Sequence, residues 1–457
     1  MPCVHPVTST CRAIGAAIVC ALASAVAAAG VPAAVAADPR PASGPVRIRT
    51  IAPGVTYQRL KLRGPVVAHV VRIDPSAPST IDVALGGRRA GSFARPSSIG
   101  RAHGALVAIN GDFGLLHGLP VHAFQADGTL ITRGIQRGTS FAMRQDETTS
   151  FIGTTDLEIE ARHAETEATV GVAGWNSRPP GRFTIAGFTP AGGDVRRPPT
   201  TGCAVRLVPD SEATWDTSGT GISRLFEAEA QRCGPKRMRV DPRTVVLASR
   251  RWRAGAEVLS AMQPGDHVRL RWSFGWPRVV DSMGGVPRLV EDGKIVASKC
   301  RSRFCRRHPR TGIGVTEEGT VVLMVVDGRS RRSVGMTLYR FALTFASLEV
   351  TDAVNLDGGG SSAMWIAGRG VVNRPSDPGG ERKVVNAVLV LPGGDPGEAR
   401  LGSGRIGLVR GDASADPGTR DPGSVGGLAE AWVEGSIVGG PVPPAIERIA
   451  ERFERRG

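Results

Sequence analysis

The 457 residues are 41% apolar, which excludes a coreless chain and allows one large domain or two or three ordinary ones. Sixty glycines and an aromatic share of only 5% favour many turns over long helices. The net charge of +15, from 57 basic and 42 acidic residues, suits phosphorylated glycans, cell-wall phosphate polymers or anionic lipid as partners; no aromatic platform interleaves the basic residues, which argues against nucleic acid.

Residues 1–37 read as a signal peptide. Arg12 supplies the positive flank, residues 13–31 are apolar and Ala-rich, and Ala34-Val35-Ala36 offers a small-x-small cleavage site. An uncut membrane anchor is the alternative, although an Ala-dominated segment makes a weak span. No later segment is long and apolar enough to cross a membrane, so the mature chain is expected to be secreted or associated with the cell envelope. Residues 38–47 are Pro-rich and read as a disordered lead-in. Residues 66–73 and 81–85 are apolar runs split by Asp74-Pro75-Ser76-Ala77-Pro78, the pattern of two strands and a turn. Residues 105–109 form another apolar run, ending in Asn110-Gly111-Asp112. The middle, about 140–280, has short alternating runs between Gly/Pro turns and reads as β-rich; residues 266–272 place their apolar members on one face. Residues 321–326 form a continuous apolar run of strand length. Residues 337–348 follow a helical period, with Leu338, Phe341, Ala342 and Phe345 on one face and Thr337 as cap. Residues 352–356 return as a strand. These elements predict an α+β fold: one catalytic domain at 48–394, with a mixed β-sheet core and flanking helices. Residues 395–457 are rich in Gly, Pro, Asp and Ser and read as a disordered low-complexity tail, with a short helix at 444–456.

Cys3, Cys11 and Cys20 would leave with the leader, and four cysteines remain. An even number in an exported chain suggests disulfides, with three possible pairings. Closeness in sequence favours Cys203–Cys233 and Cys300–Cys305. The second pair also resembles half a zinc site, but no other Cys/His pair has matching spacing.

The densest chemistry lies at residues 354–364, VNLDGGGSSAM. A strand end runs into Asp357, then Gly358, Gly359, Gly360, Ser361 and Ser362. Successive glycines let backbone N–H groups approach a ligand, and the carboxylate and hydroxyls beside them suggest an oxyanion or sugar-phosphate site. Two other apolar runs end alike, in Asn110-Gly111 and Asp327-Gly328. If the three strands are parallel neighbours, Asn110, Asp327 and Asp357 gather at one sheet edge. Each is also an ordinary turn residue, since Asn-Gly and Asp-Gly favour turns.

Several ordered blocks carry a family resemblance: AINGDF from Ala108, RHPRTGIGV from Arg307, VVLMVVDGR from Val321, SVGMTL from Ser333, NLDGGGSS from Asn355, VVNRPSD from Val371 and VVNAVLVL from Val384. Together they resemble the phosphodiester glycosidase family, over about residues 50–392. The resemblance implies hydrolysis of a sugar-1-phosphate diester at the anomeric carbon, releasing free sugar and a phosphomonoester. Such chemistry needs donors for the departing phosphate and a carboxylate that attacks C1 or activates water. Arg310 and Arg374 are candidates to fork phosphate oxygens. The N–H groups of Gly358–Ser361 and the hydroxyls of Ser361 and Ser362 would complete the anion site. Asp357 and Asp327 are the candidate nucleophile, base or acid, with the assignment between them open. Asn110, Asn355, Asn373, Ser376 and Thr311 are candidate substrate contacts, as is the DSMGG segment with Asp281, Gly284 and Gly285. His308 is either a proton relay or a solvated loop histidine. Arg301, Arg303, Arg306 and Arg307 read as a basic rim. Arg310 has the alternative of a surface arginine, and Arg374 that of an ion pair with Asp377 or Glu381. Asp112 and Gly114 stand where the family pattern has a small residue and a second aromatic. No cofactor is required, while a divalent cation on Asp357, Asp327 and Asn355 stays open. So do a phosphodiesterase cutting at phosphorus and a non-catalytic phosphoglycan-binding protein. The sugar, its acceptor and the oligomeric state are also open.

Overall fold

The structure, a computed structural model, describes residues 47–393 apart from 145–149, 155, 178–183, 196, 200–201, 214, 217–218 and 251–253. The leader, nearly all of the lead-in, and the tail with its terminal helix lie outside the described residues.

Valine-rich runs build an eight-stranded sheet in the order Ile48–Ala52, Val55–Leu62, Val66–Ile73, Val321–Val326, Arg310–Thr316, Val350–Asn355, Arg288–Glu291, Lys294–Ile295. The central strands alternate between two buried faces. Val71, Ile73, Leu323 and Val325 join one apolar cluster, while Ala68, Val70, Met324 and Val326 join another. On the first face lie two five-stranded sheets, which contribute Val83, Ile109 and Val388 from one and Phe124, Phe141 and Met283 from the other. Sheet therefore packs on sheet, and inward-facing β-branched and aromatic side chains fill the space between. The second face is covered by the helix Leu338–Ala346. Thr337 caps it by accepting the Arg340 N–H at 3.2 Å. Its Phe341 and Phe345 rings meet edge-on, 5.0 Å apart, over Gly312 and Gly314. A Cβ on Gly312 would lie 2.9 Å from Phe341, so these glycines leave room for the rings.

This helix connects Val321–Val326 to Val350–Asn355. Both strands run antiparallel to Arg310–Thr316, which lies between them, so they are parallel to each other and end at the same edge. Val107–Asn110 belongs to a different sheet. The three Asn-Gly and Asp-Gly exits are thus not a run of parallel neighbours. Two are next-but-one in one sheet and the third comes from the sheet facing it.

A closed seven-stranded barrel forms from Glu158–His163, Thr169–Trp175, Ile185–Phe188, Val245–Ser249, Cys203–Pro209, Ile222–Cys233 and His267–Ser273. Its interior is apolar, with Trp175, Phe226, Leu270 and Trp272 buried. Cys203 and Cys233 face each other across paired strands and form a disulfide. A second disulfide joins Cys300 and Cys305.

The expected α+β class, with helices flanking a mixed sheet, is overturned: the protein is mostly β. Twenty-five strands and three short α-helices occur among the described residues. The physical reason is that sheets and a barrel cover most apolar faces, and short helices cover the rest: Leu338–Ala346 on the eight-stranded sheet, Pro96–Ala102 beside Ala108 and Trp365, and Ala254–Ala261 on the barrel. Phe341→Ala should cost about 3–5 kcal/mol of stability by opening a cavity beneath the sheet. Chemical denaturation checks this, and a loss below about 1 kcal/mol would mean that the helix does not anchor the sheet.

Candidate active site

Arg310 begins the strand Arg310–Thr316, opposite Val326. Its side chain is buried, with 2% of the residue exposed. Nε donates to the Met336 carbonyl at 3.1 Å, and one terminal nitrogen donates to the carbonyls of Phe304 and Arg306, both at 2.7 Å. The guanidinium also lies 5.6 Å from the Phe304 ring centre. The Phe304 carbonyl belongs to the loop closed by Cys300–Cys305, and the Arg306 carbonyl follows it directly. No carboxylate pairs with Arg310 among the described residues. Burial first, and then the charge of Arg329, push its pKa down to about 9.

Arg329 is exposed, has a left-handed backbone (φ 55°), and holds its guanidinium over Gly359. Gly359 is itself left-handed at φ 64°, and a Cβ there would come 3.1 Å from the Arg329 terminal nitrogen. His308 lies in the same positive field. Burial lowers its pKa and the charges of Arg310, Arg329 and Arg303 add to that, while Nε2–H donates to the Arg303 carbonyl at 2.9 Å.

Asp357 is buried where the neighbouring strand exits. The Gly358 N–H donates to its Oδ1 at 2.8 Å. Burial is the main reason its pKa rises to about 6, and the charge of Asp112 adds to the rise. The Ser361 hydroxyl, Arg382 and the Gly358 N–H pull the other way. Asp327 sits at the parallel exit and is tied on every side. Its N–H donates to the Val67 carbonyl at 3.0 Å, and its carbonyl accepts the Ser333 hydroxyl at 2.6 Å. Oδ1 accepts the Arg374 N–H at 2.7 Å. With Asp327 ionised, the His69 Nε2–H donates to Oδ2 at 3.4 Å, and the Tyr57 hydroxyl donates to His69 Nδ1 at 2.9 Å.

The remaining candidates divide into clamps and free donors. Asn110 is a clamp. Its Nδ2 donates to the Asp357 carbonyl at 2.7 Å, and its Oδ1 accepts the Thr311 hydroxyl at 2.8 Å and the Ala363 N–H at 3.1 Å. Asn373 accepts from the Met364 N–H at 2.8 Å and donates to the Ser362 carbonyl at 3.1 Å. Asn355 donates to the carbonyls of Val286 and Leu356, both at 2.8 Å, and leaves its buried Oδ1 unbonded. The N–H groups of the glycine turn are largely used within the fold. Gly358 bonds Asp357, Gly359 bonds the Pro309 carbonyl at 3.0 Å, Ser361 bonds the Gly358 carbonyl at 3.2 Å, and Ser362 bonds the Gly359 carbonyl at 3.3 Å. The Ser362 and Ser376 hydroxyls are buried without a hydrogen-bond partner among the described residues. Gly360 packs beneath the ion pair of Arg382 and Asp377, whose Nε–Oδ2 distance is 2.7 Å. Asp377 is therefore taken by Arg382, Glu381 accepts the Ser97 N–H at 2.9 Å, and the exposed Arg374 guanidinium has no carboxylate partner among the described residues.

Asp281 accepts the Asp127 N–H at 2.8 Å, and its carboxylate lies with those of Asp82 and Asp127. Neither this group nor the other possible cation cluster, His163, Glu165 and Asp266, includes Asp327 or Asp357. Sequence reasoning passed over Tyr57, His69, His122, Arg329 and Arg382. Arg329 closes the block VVLMVVDGR and was in view. The others stand alone in their segments, and only tertiary pairing brings them here.

Because folding raises the Asp357 pKa, ionising it costs stability, and that cost appears as pH rises through about 6. Asp357→Asn should raise stability at pH 7.5 by on the order of 1–3 kcal/mol and change it little near pH 4. Denaturant melts at the two pH values check this, and an equal effect at both would contradict a raised pKa.

Residues 217–391 match the family model described as phosphodiester glycosidase. A stretch of 95 residues is 42% identical to the SPbeta prophage-derived uncharacterized protein YomE of Bacillus subtilis, covering 21% of this chain and 14% of that one. A stretch of 112 residues is 29% identical to the N-acetylglucosamine-1-phosphodiester alpha-N-acetylglucosaminidase of Bos taurus, covering 21% of each chain. The chain thus spans 14% and 21% of the length of these two relatives. Its fold is similar to that of a hypothetical protein from Synechocystis, with a TM-score of 0.60 and 23% identity over 76% of this chain and 64% of that one. It is also similar in fold to a putative exported protein from Burkholderia pseudomallei, with a TM-score of 0.53 and 23% identity over 72% and 75% of the two chains.

Proposed function

We propose, from the match of residues 217–391 to the phosphodiester glycosidase family model, that this chain hydrolyses the bond between C1 of a sugar and a phosphodiester, releasing free sugar and a phosphomonoester. The observation that carries the reading is Arg310, a buried cation whose hydrogen-bond partners among the described residues are carbonyls, on the strand between the two that run on to Asp327 and Asp357. A phosphate supplies the anion that this arrangement lacks. Arg310 sets the field, while the guanidinium groups of Arg329 and Arg374, which have no carboxylate partner among the described residues, reach the phosphate oxygens. The leaving group is a phosphate monoester, so charge stabilisation at its oxygens does more than protonation. Asp357, ionised above about pH 6, faces the positive charge that grows at C1. Asp327 holds the Arg374 loop through the Arg374 N–H and is itself held by His69. The unpartnered hydroxyls of Ser362 and Ser376 bind substrate oxygens.

Two disulfides support work in an oxidising compartment, in keeping with the leader read at residues 1–37, and a cell-envelope or environmental phosphoglycan is the proposed substrate. Turnover of a panel of sugar-1-phosphate diesters tests the reading. Wild type should release free sugar, with the rate falling as pH drops below about 6. Asp357→Asn should lose at least about 100-fold in kcat, and Arg310→Lys should lose a similar factor because one ammonium cannot reach three carbonyls. Release of sugar-1-phosphate instead would move the cut to phosphorus. Binding of phosphoglycan without turnover by wild type would reduce the site to a binding one.

A further inference from the structure

His122 is a second candidate for proton chemistry. It is 1% exposed, on the approach to the strand Phe124–Ala126. The loop between Asp112 and His122 folds back on itself through the Val121 N–H to Phe113 carbonyl bond at 2.9 Å, which returns the imidazole to Asp112. Asp112 accepts three N–H groups: Phe113 N–H at 2.7 Å, His122 N–H at 2.9 Å, and His122 Nδ1–H at 2.7 Å. A carboxylate in that position fixes the proton on Nδ1 and leaves Nε2 with a lone pair. Nε2 is buried and has no hydrogen-bond partner among the described residues. A buried acceptor of that kind carries an unrelieved desolvation cost that a bound water or substrate would offset.

The surroundings are shaped to the ring. A Cβ on Gly138 would lie 2.8 Å from Nε2, and one on Gly284 would overlap the His122 side chain. Neither glycine has a left-handed φ, so space for the imidazole, not backbone conformation, is what excludes a side chain there. The dyad is also coupled to the site. The residue before Asp112, Gly111, accepts the Asp357 N–H at 3.0 Å, and Asp112 is close enough for its charge to act on Asp357. Asn386 accepts the Asp112 N–H at 2.8 Å and leaves its own buried Nδ2 unpartnered, as do Asn355 at Oδ1 and Ser362 at its hydroxyl.

We propose that His122, held by Asp112, is the general base for the water that attacks C1. This rests on the glycosidase reading above. The water O–H bond breaks and its proton moves to Nε2. The water oxygen bonds to C1 as the C1–O bond to phosphate breaks, and the bonding pair leaves on the phosphomonoester. Asp357 faces C1, and Asp112 holds the imidazole through its contact with Nδ1.

His122→Gln tests the assignment, because its amide reaches the Nε2 position and bonds water but does not take a proton. On a diester that wild type turns over, kcat should fall by about 10²–10⁴-fold, with KM unchanged and the melting temperature close to that of wild type. Sodium azide needs no deprotonation, so it should restore phosphomonoester release by the variant and yield glycosyl azide. Unchanged kcat would overturn the proposal, as would a raised KM at unchanged kcat or a loss that azide does not rescue. If His122→Gln does not fold, Asp112→Asn gives the same comparison, with a smaller loss and the same azide rescue expected. If wild type turns over no diester, the glycosidase reading fails and the proposal falls with it. Turnover by wild type with a fully active His122→Gln removes the proposal alone.

Discussion

Arg310 is a cation taken out of water and given no carboxylate partner among the described residues. Burying a charge costs several kcal/mol unless its surroundings compensate. Here compensation comes from backbone carbonyls of Met336, Phe304 and Arg306 and from the face of the Phe304 ring. These satisfy N–H groups but leave the net positive charge in place, and Arg329 adds to it. Much of the local architecture serves to hold this charge still: the Cys300–Cys305 loop supplies the Phe304 carbonyl, Arg306 directly after it supplies another, and the segment just before the Leu338–Ala346 helix supplies the third.

The strand that begins with Arg310 also separates the two carboxylates, and the separation lets their environments differ. Both oxygens of Asp327 meet N–H donors from His69 and Arg374. Asp357 is sealed into a desolvated corner near Asp112, and its pKa rises. Asp327 ties down the Arg374 backbone, while Asp357 lies against the glycine turn and accepts the Gly358 N–H.

Local features were legible in the sequence. The continuous run 321–326 is a fully buried strand, and Thr337 caps the helix that the 3.6-residue period places after it. Both cysteine pairs close as their spacing suggested. The glycine turn after Asp357 stood out because three consecutive glycines answer a backbone demand visible without tertiary structure. What periodicity does not encode is partnership. One clear helical segment suggested helices flanking the sheet, whereas two further sheets cover its inner face. Asn110 and Asn373 look like substrate ligands in a motif, yet their amides are spent on backbone groups from other strands. His69 and His122 are single histidines in apolar segments, and only strand pairing and a folded-back loop set them against Asp327 and Asp112.

The central claim is that Arg310 marks an anion site because its charge is unanswered. Calorimetric titration of wild type and Arg310→Met with a sugar-1-phosphate, at low and at moderate salt, tests it most directly. The account predicts saturable binding by wild type that weakens with salt, and at least a tenfold weaker affinity in Arg310→Met with the fold intact by circular dichroism. Equal affinity in the two proteins would show that the carbonyl cage neutralises Arg310 in effect, and would contradict the account.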